Sequence, residues 1–534
     1  MKKRLLLISV CLIHFFAFSQ QDAWVYFTDK ENVSQALENP LSILTQRAID
    51  RKANHGIEID FRDVPINENY ITQIKNAPGI TVMAKSKWFN AVHVRGSESD
   101  INSLIDLQFV EEVDFADQGL NESRIVYEVV DKFQIEDEQI EFDYGSTQNQ
   151  VEMLNAHSLH QSDFAGEGVL VAVMDAGFPN VNTMGAFQRL RDAGNLLDGY
   201  DFVDRTDDVY AFTGHSHGTR VLSNMAGYIE NEYVGTAPDA MYYLFRTEDV
   251  YSENPVEESY WVEAAERADS LGVDVINTSL GYKGYDNSNY SYTSEDMDGN
   301  TTFITRGANI AFEKGMILIS SAGNSGASGI IAPSDSPNVI AVAAVDENEQ
   351  YASFSSQGSD FQLTQKPNVA ARGRLSFVVD QNNNIVQNNG TSFSSPTLAG
   401  AVACLRQALP NRTNAEVMQF VHESSSQYQN PDYFLGYGIP DFQLALDIGL
   451  AFEASLPDAF IIYPNPVTTE LNVRFPLEVD MAELYLFDVL GKLVINTIIE
   501  PSVNTLKIDH LSKGVYILRL NGGGESVTFK LIKN

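Results

Sequence analysis

A mostly parallel α/β sheet with flanking helices, preceded by a small α+β unit and followed by a small all-β sandwich, is the architecture this sequence predicts. Three observations predict it. Between Tyr144 and about Ala451, short and nearly continuous apolar runs alternate with helically spaced segments, the pattern of strands covered on both faces by crossover helices. After Ala454 apolar and polar residues alternate at period two, as in half-exposed strands. Between residue 22 and about 116, strand-like and helix-like patterns are interleaved. At 534 residues, and with roughly 100 to 200 per domain, about three units are expected.

Taken in order, residues 1–19 carry Lys2, Lys3 and Arg4, then the apolar run Leu5 to Phe16, then Ala17-Phe18-Ser19 with its small residues. That is the layout of a secretory signal cleaved after Ser19. Residues 20–130 form the α+β unit, with strands at Ala23 to Phe27, Ile80 to Ala84 and Ala91 to Arg95 and helices near Ile43 to Lys52 and Asp100 to Leu107. In 131–143, from Asp131 to Asp143, six acids face Lys132, and self-repulsion makes this stretch an exposed linker. Residues 144–452 hold the strands Val169 to Met174, Val273 to Asn277, Met316 to Ser320 and Val339 to Val345. Between them, Ala264, Ala265, Ala268 and Leu271 repeat at helical spacing, and Asn309 to Lys314 forms a second helical segment. In 453–534 the strands are Leu471 to Phe475, Ala482 to Phe487, Lys492 to Ile495, Val515 to Leu520 and Ser526 to Leu531, with turns at Leu490-Gly491 and Asn521 to Gly524. Several short strands in so few residues make a small sandwich.

The bulk numbers exclude some functions. Lysine and arginine total 35 against 72 acids, a formal charge of −37, so the long-range field repels phosphate backbones and nucleic acid is not an expected partner. Removing the signal takes Cys11 with it and leaves Cys404 alone, so no intramolecular disulfide can form. No later run approaches 18 uninterrupted apolar residues, so the mature chain is expected to have no spanning helix.

The chemistry sits in the α/β region. A serine hydroxyl is a weak nucleophile at neutral pH; acyl transfer needs a histidine to take its proton, a carboxylate to orient that histidine, and donors for the oxyanion. Of nine histidines, His14 lies in the signal, His55 and His93 in the N-terminal unit and His510 in the C-terminal one. His157, His160, His215, His217 and His422 remain. The run Gly214-His215-Ser216-His217-Gly218-Thr219 leads into a helical pattern and puts His217 near a helix start, with His215 as the competing residue. Asp175 ends the strand Val169 to Met174 and should stand at the carboxyl edge of a parallel sheet, where open α/β sheets place their sites. In Asn389-Gly390-Thr391-Ser392-Phe393-Ser394-Ser395-Pro396, glycine permits close backbone approach and a helix follows. Its first turn is expected to carry Ser392 and to tolerate Pro396, with unpaired amides that favour a developing negative charge.

In the order Asp, His, Ser, these three segments resemble the signatures of the subtilases, the subtilisin-like serine peptidases, over about residues 144 to 450. The resemblance implies a subtilisin-like fold and a secreted endopeptidase, with Asp175 orienting, His217 as the base before Gly-Thr, and Ser392 as the nucleophile after Gly-Thr. Ser320-Ser321-Ala322-Gly323-Asn324-Ser325-Gly326 is similar to the family's oxyanion segment, which implies that Asn324 and the Ser392 amide hold the tetrahedral oxygen. Ile276-Asn277-Thr278-Ser279-Leu280-Gly281 is similar to its substrate-facing strand, which implies that Ser279, Leu280 and Gly281 pair with a peptide and help wall the primary pocket, with Ser321, Ala322 and Gly323 also binding substrate. Arg220, Ala176 and Phe393-Ser394-Ser395 depart from the common residues without removing a catalytic atom.

The N-terminal unit resembles a subtilase propeptide, which implies a transient inhibitor removed by cleavage between about Gln134 and Tyr144. The C-terminal unit, with Tyr463-Pro464-Asn465-Pro466, Asp488-Val489-Leu490-Gly491-Lys492 and the terminal Phe529 to Asn534, is similar to a type IX secretion sorting domain of Bacteroidetes. That implies passage through the periplasm to the outside or the cell surface, using the secretion machinery. Triad chemistry requires no cofactor, and no His/Cys cluster has zinc spacing. Calcium as a structural ion is implied by the family, with ligands unknown. The rival class is a binding or adhesive protein on an inactive scaffold of the same fold. An α/β-hydrolase esterase fits less well, because no Gly-x-Ser-x-Gly elbow surrounds Ser392.

Overall fold

A computed structural model describes residues 20–120, 138–139 and 145–455, and within 460–533 all but 464–466, 468, 477–478, 489–491, 502–503 and 524. The expected signal at 1–19 and all but two residues of the acidic stretch 131–143 lie outside the described residues or at their margin. Two compact units divide the chain, one of residues up to Lys52 and Ile59–Leu446, the other of Ala53–Glu58 and Asp447–Asn534.

The first unit begins with β1 (Gln20–Phe27), α1 (Gln46–Asn54), α2 (Glu68–Lys75), β2 (Thr81–Ser86), β3 (Ala91–Ser97) and β4 (Val110–Phe115). The strands form one antiparallel sheet in the order β2-β3-β1-β4. Its three expected strands are present; α2 and β4 are additions. α2 starts at Asn67, whose side chain accepts from the Asn69 and Tyr70 amides, a cap worth about 1 kcal/mol. β4 reads Val-Glu-Glu-Val-Asp-Phe, an edge strand with charged residues outward, too polar to stand out by apolar content. One face of the sheet packs on its own core of Val25, Ile71, Ile74, Val92 and Val94.

The large sheet follows: β5 (Leu170–Asp175), β6 (Tyr200–Asp201), β7 (Met241–Arg246), β8 (Val275–Thr278), β9 (Ile317–Ser321), β10 (Val339–Val345) and β11 (Val369–Arg372). All seven are parallel, in the order β11-β10-β9-β8-β5-β7-β6. β5, β8, β9 and β10 are the expected strands and are buried along their length. β6 and β11 are too short to show a period, and β7 ends in Arg246, a charge with no local reason to be buried. Arg246 is 1% exposed and bonds Asp201 and Asp204 at 2.7 Å each. From β5 the chain runs out to the edge strand β6, comes back to β7 and then crosses β5 to β8, so the order reverses at β5. A crevice at the carboxyl ends of such strands is where open α/β sheets bind ligands.

Helices cover both faces. α3 (His217–Ala226) and α6 (Thr391–Ala408) pack against each other, and α6 also lies on β8 to β11. On the other side α4 (Val256–Leu271) and α5 (Phe303–Glu313) pack together, both longer than their expected cores. α4 stops at Gly272, whose φ of 85° a side chain would resist and whose amide closes onto Ala268 and Asp269 carbonyls. A hairpin of β12 (Ser376–Val379) and β13 (Ile385–Asn388) runs into α6. Glu138–Gln139, inside the stretch expected to stay extended by repulsion, pair antiparallel with β13.

The outer face of the N-terminal sheet rests on α4. Trp24, Ala84 and Trp88 share a core with Tyr260, Trp261, Ala265 and Phe303, and the Trp24 and Phe303 rings stack at 4.7 Å. Polar contacts cross the same surface. Glu266, on α4, accepts from Ser86 Oγ at 2.6 Å and from the Lys87 and Trp88 amides at 2.9 Å. Asp269 is bonded by Arg51 at 2.5 Å and Lys52 at 2.8 Å, while Lys314 reaches across to Asp63 at 2.8 Å.

The second unit has two antiparallel sheets. One is β14 (Ile461–Tyr463), β15 (Glu470–Arg474) and a later strand, β18 (Thr505–Lys507); the other is β16 (Ala482–Asp488), β17 (Leu493–Ile499), β19 (Gly514–Gly522) and β20 (Glu525–Lys533), in the order β17-β16-β19-β20. Leu471, Val473, Leu484, Leu486, Leu518, Leu520 and Leu531 form its core, from the inward positions of alternating strands.

Candidate active site

Asp175 is the last residue of β5 and is completely buried. Its Oδ1 accepts from the Ala176 amide at 2.7 Å and from His217 Nδ1 at 2.7 Å. His217, the first residue of α3, is 2% exposed. The two segments meet because Gly218 has no side chain: a Cβ there would lie 2.6 Å from the Gly177 carbonyl oxygen and 2.7 Å from the Phe178 ring. The next turn is held by Thr219, whose hydroxyl donates to the Pro179 carbonyl at 2.9 Å. The competing His215 lies beside the pair, with its Nδ1 accepting from the His217 amide at 3.4 Å, and it is His217 that reaches Asp175.

Ser392 is the second residue of α6 and 5% exposed. Its hydroxyl donates to the Ser279 carbonyl at 3.3 Å, and Phe393, the next residue, sets its ring 5.8 Å from the His217 imidazole. Gly390 caps the helix at φ 146°, a conformation that excludes most side chains. A Cβ there would stand 3.5 Å from Asn324 Nδ2, so the glycine also keeps the space beside that amide open. Asn324 Oδ1 accepts from both the Thr391 amide and the Thr391 hydroxyl at 2.9 Å. With the oxygen so engaged, Nδ2 is the end that can donate elsewhere.

Pro396 lies in the second turn of α6, not in the first as expected. Residue 396 should donate to the carbonyl of residue 392, four positions earlier, and proline has no N–H to give. Ser279 supplies the missing donor, its hydroxyl bonding the Ser392 carbonyl at 3.0 Å. Behind it, Asn277 Nδ2 donates to Ser279 Oγ at 3.1 Å, and Ser395 Oγ donates to Asn277 Oδ1 at 2.7 Å. The expectation for Ser279 concerned peptide binding and missed this hydroxyl. The signal was present as the four-residue spacing from Ser392 to Pro396; the partner across the sheet was not.

Ser279, Leu280 and Gly281 leave β8, and Ser321, Ala322 and Gly323 leave β9, so the two expected peptide-facing segments exit neighbouring strands side by side. The Gly323 amide donates to Thr391 Oγ1 at 3.2 Å, which joins this edge to the first turn of α6, where Ser392 sits. Arg220 is buried and donates to Asn388 Oδ1 at 2.9 Å, tying α3 to the strand that leads into Ser392. Among the described residues, Glu248, Glu253 and Glu257 form the group whose carboxylate oxygens come within 4.8 Å of one another. They offer the hard oxygen ligands calcium takes, but three carboxylates are fewer than the usual six to eight ligands. Tyr282 already donates to Glu248 at 2.9 Å, and the Asp249 and Asn254 amides to Glu257. Burial and these neighbouring glutamates hold the Tyr282 phenol well above its ordinary value, so it stays a donor.

Comparison with known proteins finds three families along the chain. The Bacteroidota peptidase S8 propeptide domain matches residues 22–130, the subtilase family matches 166–438, and the secretion system C-terminal sorting domain matches 461–534. Subtilisin E of Bacillus subtilis (strain 168) is 30% identical over 322 residues, covering 58% of this chain and 74% of its own length. Subtilisin of Bacillus pumilus is 31% identical over 305 residues, covering 55% and 97%. The crystal structure of MycP1 with its N-terminal propeptide removed aligns with 56% of this chain and 96% of its own, at 23% identity and a TM-score of 0.46.

Proposed function

The chain belongs to the subtilase family, as a subtilisin-like serine peptidase with a Bacteroidota propeptide before it and a type IX sorting domain after it, and from that premise we propose how its residues divide the work. Ser392 is the nucleophile of an acyl-enzyme endopeptidase, His217 its general base and acid, Asp175 the orienting carboxylate and Asn324 the side-chain donor to the oxyanion. The observation that carries this reading is the buried 2.7 Å bond from His217 Nδ1 to Asp175. With Nδ1 donating, the lone pair is on Nε2, the nitrogen that takes the Ser392 proton as Oγ attacks the scissile carbonyl and later returns it to the leaving amine. Asp175 stabilises the imidazolium formed in between. The tetrahedral oxygen is held by Asn324 Nδ2 and the Ser392 amide. No step runs through a metal.

The N-terminal unit inhibits until it is cut from the chain by the enzyme's own site, and the C-terminal unit directs export to the outside or the cell surface. Its described end supports the first point: Asp117 Oδ2 accepts from Asn289 at 3.1 Å, so the propeptide leaves its sheet beside the loop that follows the peptide-facing segment. The test is labelling of purified precursor and processed protein by a fluorophosphonate. Labelling and peptide hydrolysis should both vanish in Ser392→Ala, and that variant, purified alone, should remain uncut. Processed protein that neither labels nor cleaves any peptide would favour an inactive binding scaffold.

A further inference from the structure

The two peptide-facing segments converge on a side chain that no motif marked. A Cβ added to Gly281 would lie 2.3 Å from Ile331 Cδ1 and 2.5 Å from its Cγ1; one added to Gly323 would lie 3.0 Å from each. Both glycines therefore open onto Ile331, which fills the space between the segments. The backbone holds it there. Tyr282 and Ala332 form a reciprocal bridge, with the Tyr282 amide donating to the Ala332 carbonyl at 2.9 Å and the Ala332 amide returning the bond at 3.1 Å. In an antiparallel bridge the residues before these two lie diagonally on one face, so Gly281 and Ile331 are neighbours by geometry. Ile330 and Ala332 on either side are buried, and the Ser334 amide closes the turn onto the Ile331 carbonyl at 2.9 Å. Ile331 itself is half-buried and packed on both glycines.

We propose that Ile331 is the floor of the primary specificity pocket and restricts cleavage to peptide bonds that follow a small residue, alanine or glycine in the first place. The inference rests on the peptidase reading above, in which the side chain preceding the scissile bond enters between Ser279–Gly281 and Ser321–Gly323. An aromatic or long basic side chain would have to displace a β-branched residue whose backbone is pinned on both sides. Interiors packed to that density resist extra volume. One extra or missing methylene in such a pocket discriminates by about 10- to 200-fold.

The experiment compares kcat/KM of the processed enzyme for four peptides identical except for Ala, Leu, Phe or Lys before the scissile bond. Ala should exceed Phe and Lys by about tenfold or more, and Ile331→Gly should raise the Phe-to-Ala ratio about tenfold or more. A small fluorophosphonate, which leaves the pocket empty, reports whether the triad is assembled in each protein. If parent and variant both label and the parent cleaves after Phe as well as after Ala, or the ratio does not move, the inference falls and the peptidase reading stands. If the parent neither labels nor cleaves any of the four, the peptidase reading itself has failed. Should Ile331→Gly not label, Ile331→Val is read in the same way with the Leu-to-Ala ratio, which should rise; no rise overturns the inference.

Discussion

At Ser392 two defects of the helix become one device. Proline at 396 leaves the nucleophile's carbonyl without its helical donor, and the Ser279 hydroxyl takes that place at 3.0 Å. A net hydrogen bond of about 1 kcal/mol, lost from the turn that aims Oγ, corresponds to roughly five- to tenfold in rate. Ser279→Ala is therefore expected to lower kcat and the fluorophosphonate labelling rate by about that factor, with KM little changed. A fall in KM-dependent binding alone would show that Ser279 serves only the peptide. Asn324 carries a larger share: Asn324→Ala should lower kcat by about 10²- to 10³-fold, as measured for the equivalent loss in subtilisin, while KM stays close to the parent's. If kcat moves less than threefold, the oxyanion donor lies elsewhere.

At the scale of elements, α4 is both a crossover helix of the large sheet and the floor on which the propeptide-family sheet rests. Glu266 illustrates the electrostatics of that contact. Burial pushes its carboxyl up to about 6 from an ordinary 4.5, against the pull of Lys87 and the donors Ser86 and Trp88. Undocking returns the group toward water and toward its ordinary value. A carboxyl raised in the docked state favours docking below the undocked pKa, and that contribution is lost as pH rises through about 6. The shift is on the order of 2 kcal/mol at most. Propeptide added in trans should thus inhibit the processed enzyme more strongly near pH 4.5 than at pH 7.5, with this part of the difference absent in Glu266→Gln. An identical pH profile in the two proteins would remove Glu266 from the account. The ion network of Arg51, Lys52, Asp63, Asp269 and Lys314 beside it is a buried set whose members cannot be separated without stranding a charge, so it enforces register between propeptide and peptidase.

For the molecule as a whole, three family segments follow one another along the chain, propeptide, subtilase and sorting domain. The acidic charge is unevenly spread, since residues 461–534 hold 7 lysines and arginines and 8 acids, leaving a net charge of −1 there against −37 for the chain. The sorting unit is therefore near neutral on an otherwise strongly acidic protein, and its two sheets owe their stability to apolar alternation. A chain ended before Pro464 should accumulate in the periplasm while the full chain reaches the surface or the medium, read by fractionation and immunodetection of intact cells. Equal export of both would remove the C-terminal unit from the sorting step.

Much of this was legible from local signals. Continuous apolar runs marked β5, β8, β9 and β10, because strands buried on both faces tolerate little else, and period-two alternation marked the C-terminal strands. Glycines and small residues around Asp175, His217 and Ser392 marked turns at which backbones approach closely. What the chain alone could not show depends on partners far away in sequence. β7 ends in a buried arginine whose partners, Asp201, Asp204 and the Phe212 ring, all lie far off in sequence. Ser279 was visible as a strand residue, but its bond to a carbonyl orphaned 113 positions later was not. Ile331 carries no motif and becomes a pocket floor only when the Tyr282–Ala332 bridge brings it against Gly281. Local sequence determined the elements and the segments that carry Asp175, His217 and Ser392, because turn chemistry and hydrophobic period act over a few residues; the tertiary structure decided which atoms meet, because packing and hydrogen bonding act through space.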